Sequence, residues 1–170
     1  MVKAVAFPVS ENWVEKAKER SRYLMETGHS CAQGILSAFM EQFGIEDKTV
    51  LRAAGGFHGG MMCSLTCGIV TGAMMFLGLL IGRENIEEGM EGLMPIIMPA
   101  QELVSLFTKR LGSSSCKELT GVDFTDLNQA IAFQMSGDNK KCLDRMEQGA
   151  EELALFLIEK QKKGELFRIS

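Results

Sequence analysis

Apolar residues recur along this chain with a helical period, and strand-like alternation is absent. A first helix is predicted over about 11–27, with Ser10 as its N-cap and Trp13, Val14, Ala17, Leu24 and Met25 near one face. A turn at Gly28 leads to a second helix over about 31–43. There Ser30 and Gln33 have the spacing of a capping box, Ala32, Ile35, Leu36, Phe39 and Phe43 form the stripe, and Gly44 closes the helix. A short helix near 47–54 runs into the turn "GGFHGG". Beyond it the pattern predicts an uncharged helix over about 60–81, then a helix over about 87–111 carrying Leu93, Ile97, Ala100, Leu103, Val104, Phe107 and Leu111. Pro95 and Pro99 fall inside that window, so its start is expected near Pro95 or a kink there. Ser115 and Glu118 suggest a second capping box. "GVDFTDLNQAIAF" reads as a turn and short helix, and a last helix over about 138–162 places Cys142, Met146, Gly149, Leu153 and Phe156 on one face. No repeat or linker interrupts the chain. The expectation is an all-α protein, one helical bundle spanning 1–170 around the uncharged helix.

That helix is the first point at which composition changes the picture. No Asp, Glu, Lys or Arg occurs between residues 55 and 82, and about 20 apolar residues suffice to cross a bilayer. Yet Arg52 and Arg83 flank the stretch symmetrically, and Trp13 and Tyr23 lie far away, leaving no aromatic belt. The amphipathic helices each need a partner for their stripes, and the uncharged helix supplies a common centre. We therefore expect a buried core helix rather than a membrane span, with Gly68, Gly72, Gly78 and Gly82 as close-approach positions.

The whole chain carries a net charge of −4 with 46% hydrophobic residues, a balance typical of globular proteins that leaves no basic footprint for nucleic acid. The N-terminal apolar run is broken by Pro8 and does not read as an export signal. The expected location is the cytoplasm, where the thiols of Cys31, Cys63, Cys67, Cys116 and Cys142 stay reduced.

The cysteines carry the candidate chemistry. Cys31 and Cys116 each follow a capping serine, so a helix N-terminus should stabilise their thiolates and lower their pKa values below the usual 8.5 or so. Asp138 is a candidate cap that would bring Cys142 to the first turn of the last helix. Cys67, read as lying within the uncharged helix, would approach from the core. Cys63 precedes Cys67 by one helical turn, on the same face and about 6 Å along it. No C-x-x-C occurs, which removes the thioredoxin and zinc-ribbon motifs. His29 and His58 stand in turns ahead of Cys31 and Cys63, placed to take a proton or a metal. "GGFHGG" is not a phosphate loop, since no Gly-Lys-Ser/Thr follows.

Cys31, "GGFHGG" leading into "CGIVTGAMMFLGLLIGRE", "SCKELTGVDFTD" and "KKCLDRMEQGAEEL" together resemble the C_GCAxxG_C_C family. These are small bacterial and archaeal proteins described as redox-active, with four hallmark cysteines. The resemblance covers roughly residues 17–160. It implies that the hallmark cysteines are Cys31, Cys67, Cys116 and Cys142 and that the motif glycines are Gly68 and Gly72. Ile69 stands where the motif has a small alanine, and Cys63 lies outside the pattern.

The expected function is thiol redox chemistry. A thiolate at Cys31 or Cys116 attacks a disulfide or other oxidant, and Cys67 or Cys142 resolves the intermediate. No cofactor is required on this reading, and the redox partner is not specified by the sequence. A second reading has the same four cysteines ligate an iron–sulfur cluster or another thiophilic metal. A third is a helical interaction module, associated with a transporter, whose cysteines only fill the core.

Overall fold

A computed structural model describes residues 12–165 and contains helices and no strand among them; the expected cap at Ser10 lies outside the described residues. The helices are α1 (Trp13–Gly28), α2 (Cys31–Gln42), α3 (Lys48–Ala54), α4 (Gly68–Ile81), α5 (Gly89–Leu111), α6 (Cys116–Thr120), α7 (Leu127–Met135) and α8 (Lys140–Lys162). One isolated antiparallel bridge joins Thr66 to Ser115.

Five of these helices close a ring. α1 packs on α2 and α8, α4 on α2 and α5, and α5 on α8. The stripes meet inside it. Ile35, Leu36, Phe39 and Phe43 of α2 and its C-cap, Phe76 and Leu77 of α4, Leu103 and Phe107 of α5, and Met146, Leu153 and Leu157 of α8 are all buried. Trp13, Phe39, Phe43 and Phe76 stack edge-to-face or tilted, with ring centroids 5.0–6.1 Å apart.

α4 carries no charge and no fully exposed residue, but it starts at Gly68 instead of near 60 and takes one place in the ring. A Cβ at Gly72 would collide with the Ala32 carbonyl of α2, so this glycine sets the α2–α4 distance. Gly149 of α8 lies against Ile69, where an added Cβ would come within 2.5 Å of Ile69 Cγ2. The isoleucine at that motif position is thus accommodated by a glycine on the facing helix. Gly78 faces open space and Gly82 ends the helix, so neither is a close-approach position between helices.

α5 runs unbroken from Gly89 through both prolines to Leu111. No single helix among the described residues is long and apolar enough to cross a membrane; α4 and the 86–111 segment pass that test only as a pair bent by 77°.

Candidate functional site

Four of the five cysteines converge at one end of the bundle, each delivered by a different local device. At α2 the Ser30 hydroxyl accepts the Gln33 amide at 3.4 Å and fixes Cys31 as the first helical residue. Gln33 does not return the bond. Its Nε2 donates to the Leu51 carbonyl at 2.9 Å and ties α2 to α3. The Cys31 sulfur lies directly over Gly68, where any side chain would displace it. It stands 3.9 Å from His58 Nδ1.

The segment between α3 and α4 departs most from the sequence reading. Residues 59–62 form a left-handed turn, with φ/ψ of 58°/30° at Gly59, 61°/33° at Met61 and 52°/20° at Met62; Ser64 also has positive φ. Left-handed conformation costs an L-residue about 1–2 kcal/mol, so the turn persists only where its surroundings over-determine it. Here Ser64 is the anchor: its Oγ donates to the Val122 carbonyl at 2.9 Å and accepts the Phe124 amide at 2.7 Å. The Cys67 amide donates to Ser114 O at 2.8 Å and the Cys116 amide to Leu65 O at 2.6 Å, bracketing the segment from the other side. One helix over 60–81 is therefore excluded. Cys67 is the N-cap of α4 and not an interior residue, while Cys63 is exposed on the turn. The expected placement of these two cysteines along one helical face does not hold.

Ser115 caps α6 by accepting the Glu118 amide at 3.3 Å, which makes Cys116 the first helical residue, as expected. Glu118 does not close the box; its carboxylate accepts from Ser113 Oγ. Gly60 leaves room for Cys116, whose Cβ would lie 2.9 Å from a Cβ at that glycine. Cys142 stands in the first turn of α8, its amide on the Asn139 carbonyl at 2.9 Å. Asp138 is not the cap; it accepts from Ser136 Oγ, and Asn139 holds the N-cap position without a side-chain bond.

Cys31, Cys67, Cys116 and Cys142 all line one cavity of about 180 Å³, along with His58. The first three are buried and the fourth half-buried; all four are free thiols. Burial dominates their electrostatics. It pushes the Cys31 thiol up, partly opposed by the amides of Gly59, Ala32 and Gly68. It pushes Cys67 up strongly, with further contributions from its neighbours Cys31, Cys116 and Cys142. Cys116 is pushed up to about 12 and Cys142 to about 11 by burial, then by the proximity of Cys31. The depressed pKa values expected for Cys31 and Cys116 are thus reversed: a helix terminus stabilises a thiolate, but the loss of water around a buried thiol outweighs it. His58 is shifted the other way, below its usual value, by burial and by His29. It is a neutral base at neutral pH.

Of the sequence candidates, Gly68 and Gly72 set the packing beneath Cys31, His58 faces Cys31 and exposed His29 lines the same cavity. Cys63 stays apart on the outer turn. Two residues escaped the sequence reading. Ser64, the anchor of the left-handed turn, gives no sequence signal, because its partners lie about sixty positions away. Arg145 lines the cavity, and its position three residues after Cys142 puts both on one side of α8, a spacing that was legible. Among the described residues, no three His, Cys, Asp or Glu side chains are arranged to hold a metal ion.

An all-α protein with four thiols around one cavity is the class that fold and site define. The chain matches the family model described as "Putative redox-active protein (C_GCAxxG_C_C)" over residues 29–155, and it belongs to that family. Comparison with curated proteins and with solved structures gives no match.

Proposed function

We propose that this chain is a thiol redox protein working by dithiol–disulfide exchange, with Cys31 as nucleophile and Cys67 as resolving thiol. The observation that supports this most is the convergence of four free thiols on one cavity, with His58 Nδ1 3.9 Å from Cys31 Sγ. A buried thiol needs a proton acceptor to react at neutral pH, and neutral His58 is the basic side chain in contact with it. As Cys31 Sγ attacks a disulfide RSSR, its proton passes to His58, the S–S bond breaks and RS⁻ leaves, taking that proton as RSH. Cys67 then attacks the Cys31 sulfur of the mixed disulfide; the second RS⁻ leaves with the Cys67 proton. The protein dithiol loses two electrons and RSSR gains them, giving two RSH. The Cys31 sulfur lies over Gly68, the residue next to Cys67, which favours Cys67 over Cys142 as its partner. Such chemistry suits the reducing cytoplasm.

The test is mass analysis of anaerobically purified protein after one equivalent of a small disulfide. Wild type should lose the mass of two hydrogens with no adduct, Cys67→Ser should accumulate a mixed disulfide on Cys31, and Cys63→Ser should behave as wild type. Oxidation at an undiminished rate in Cys31→Ser would remove Cys31 from the mechanism. Stoichiometric iron with visible charge-transfer bands in the purified protein would replace this reading by the cluster. Inert thiols without metal would leave the interaction module.

A further inference from the structure

Arg145 has no role in the exchange just described, yet it lines the same cavity. Its Nη1 is buried and meets no hydrogen-bond acceptor among the described residues. The charge lacks an acceptor there, and a turn of the guanidinium toward the cavity that Arg145 lines would bring it to a carboxylate, the acceptor that suits it best. Glu26 lines the cavity too but is exposed and leaves that nitrogen without a bond. His29 and Gln134, the latter also among the lining residues, are exposed as well. Deeper in, the walls are apolar, with Ile69, Leu119, Phe124 and Phe133 around the thiols. The volume of about 180 Å³ suits a small molecule or one end of a slightly larger one, since a 150 Å³ cavity takes benzene and this cavity is open on one side. With Cys31, Cys67 and Cys116 buried, a small disulfide reaches the thiols of the closed site more readily than one on a folded protein.

We propose that the cavity takes a small carboxylate-bearing disulfide, its carboxylate on Arg145 and one sulfur presented to Cys31. This rests on the dithiol reading and adds its substrate class. The bound disulfide accepts two electrons from Cys31 and Cys67 and leaves as two thiols, each still carrying its carboxylate. Arg145 is a binding residue and takes no part in proton or electron transfer.

Three disulfides of similar size test this: dithiodiglycolate, which is anionic, bis(2-hydroxyethyl) disulfide, which is neutral, and cystamine, which is cationic. Each rate of Cys31 oxidation is divided by that probe's rate with a small free thiol, removing intrinsic reactivity. Wild type should favour dithiodiglycolate over the neutral probe by at least tenfold and over cystamine by more. Arg145→Gln should abolish that preference, and Arg145→Lys should retain part of it. On the wild-type chain, which removes any question of variant folding, thiodiglycolate, the thioether without an S–S bond, should protect Cys31 from neutral iodoacetamide. Equal normalised rates for the three probes, or an unchanged preference in Arg145→Gln, would overturn the substrate class with the dithiol reading intact. Failure of all three probes to oxidise Cys31 would overturn the dithiol reading itself, and this proposal with it.

Discussion

Phe76 and Phe133 are both buried phenylalanines, but they belong to regions built in different ways. Phe76 sits within the ring of α1, α2, α4, α5 and α8, touching the rings of Phe39 and Phe43 in a large continuous core. Phe133, from α7, belongs to a small separate cluster of Cys116, Phe124, Ala130 and itself, with Val122 and Cys142 against its edge. Its ring meets Phe124 at 5.8 Å. The bundle is held by apolar stripes on long helices. The cap formed by α6, residues 122–126 and α7 owes its position to a few polar bonds, chiefly those of Ser64, and to little apolar area. The cavity lies between them, with Cys31 and Cys67 from the bundle core and Cys116 and Cys142 from the cap cluster. A site of this kind can open on its weaker side while its stronger side stays folded, because local opening follows the density of buried contacts.

The core of the ring should be the most sensitive region, and Phe76 its most sensitive position. Phe76→Ala should lower global stability by about 3–5 kcal/mol, measured by chemical denaturation, with all probes losing structure together. Phe133→Ala should cost clearly less globally and instead speed alkylation of Cys116 under native conditions. Equal global losses would show that the cap and bundle unfold as one unit.

High pH tests the burial of the thiols. In the unfolded chain a thiol ionises near 8.5, whereas in the fold Cys116 and Cys142 hold their protons up to about 12 and about 11. Between those limits the unfolded state binds fewer protons, so the stability of the reduced protein falls as pH rises, by up to about 1.4 kcal/mol per pH unit for each thiol. Denaturation measured from pH 8 to 10, below the lysine range, should show this decline for the reduced chain and a smaller one after disulfide formation.

Ser64→Ala removes one hydroxyl that both donates to Val122 O and accepts from Phe124 N. It should cost about 1–3 kcal/mol, and hydrogen exchange should localise the loss to residues 59–64 and 122–126, with the bundle amides protected. The smallest effect is a coupling inside the bundle. Gly149→Ala pushes a methyl onto Ile69, and adding Ile69→Ala should recover about 1 kcal/mol in a double-mutant cycle. Additive losses would mean that α8 simply shifts to admit the methyl.

Several local features were readable because their causes lie within a few residues. Ser30 and Ser115 cap the helices that begin at Cys31 and Cys116, and each serine bonds the amide three positions on. The stripe from Ile35 to Phe43 faces the core as its period requires. The family pattern grouped the four cysteines that line the cavity and set Cys63 aside. The reading failed where a local rule met a distant partner. Asp138 has the chemistry of a cap but turns to Ser136, and Gln33 reaches across to Leu51.

The all-α class, the stripes that face the core and the helix starts that carry Cys31 and Cys116 follow from periodicity and capping, whose causes lie within a few residues. The left-handed turn at 59–62 depends on distant contacts. The apolar pattern from residue 60 onward reads as a right-handed helix, and the cost of positive φ at Met61 and Met62 is met by bonds from Ser114, Cys116, Val122 and Phe124 that no local pattern contains. That turn separates Cys63 from Cys67 and makes Cys67 a helix cap. The tertiary structure likewise set the sign of the thiol shifts. The dipole of a helix end is fixed locally, but the exclusion of water from Cys31 and Cys116 requires α4, α8 and the cap to close around them, and for a buried thiol that loss of hydration is the larger effect.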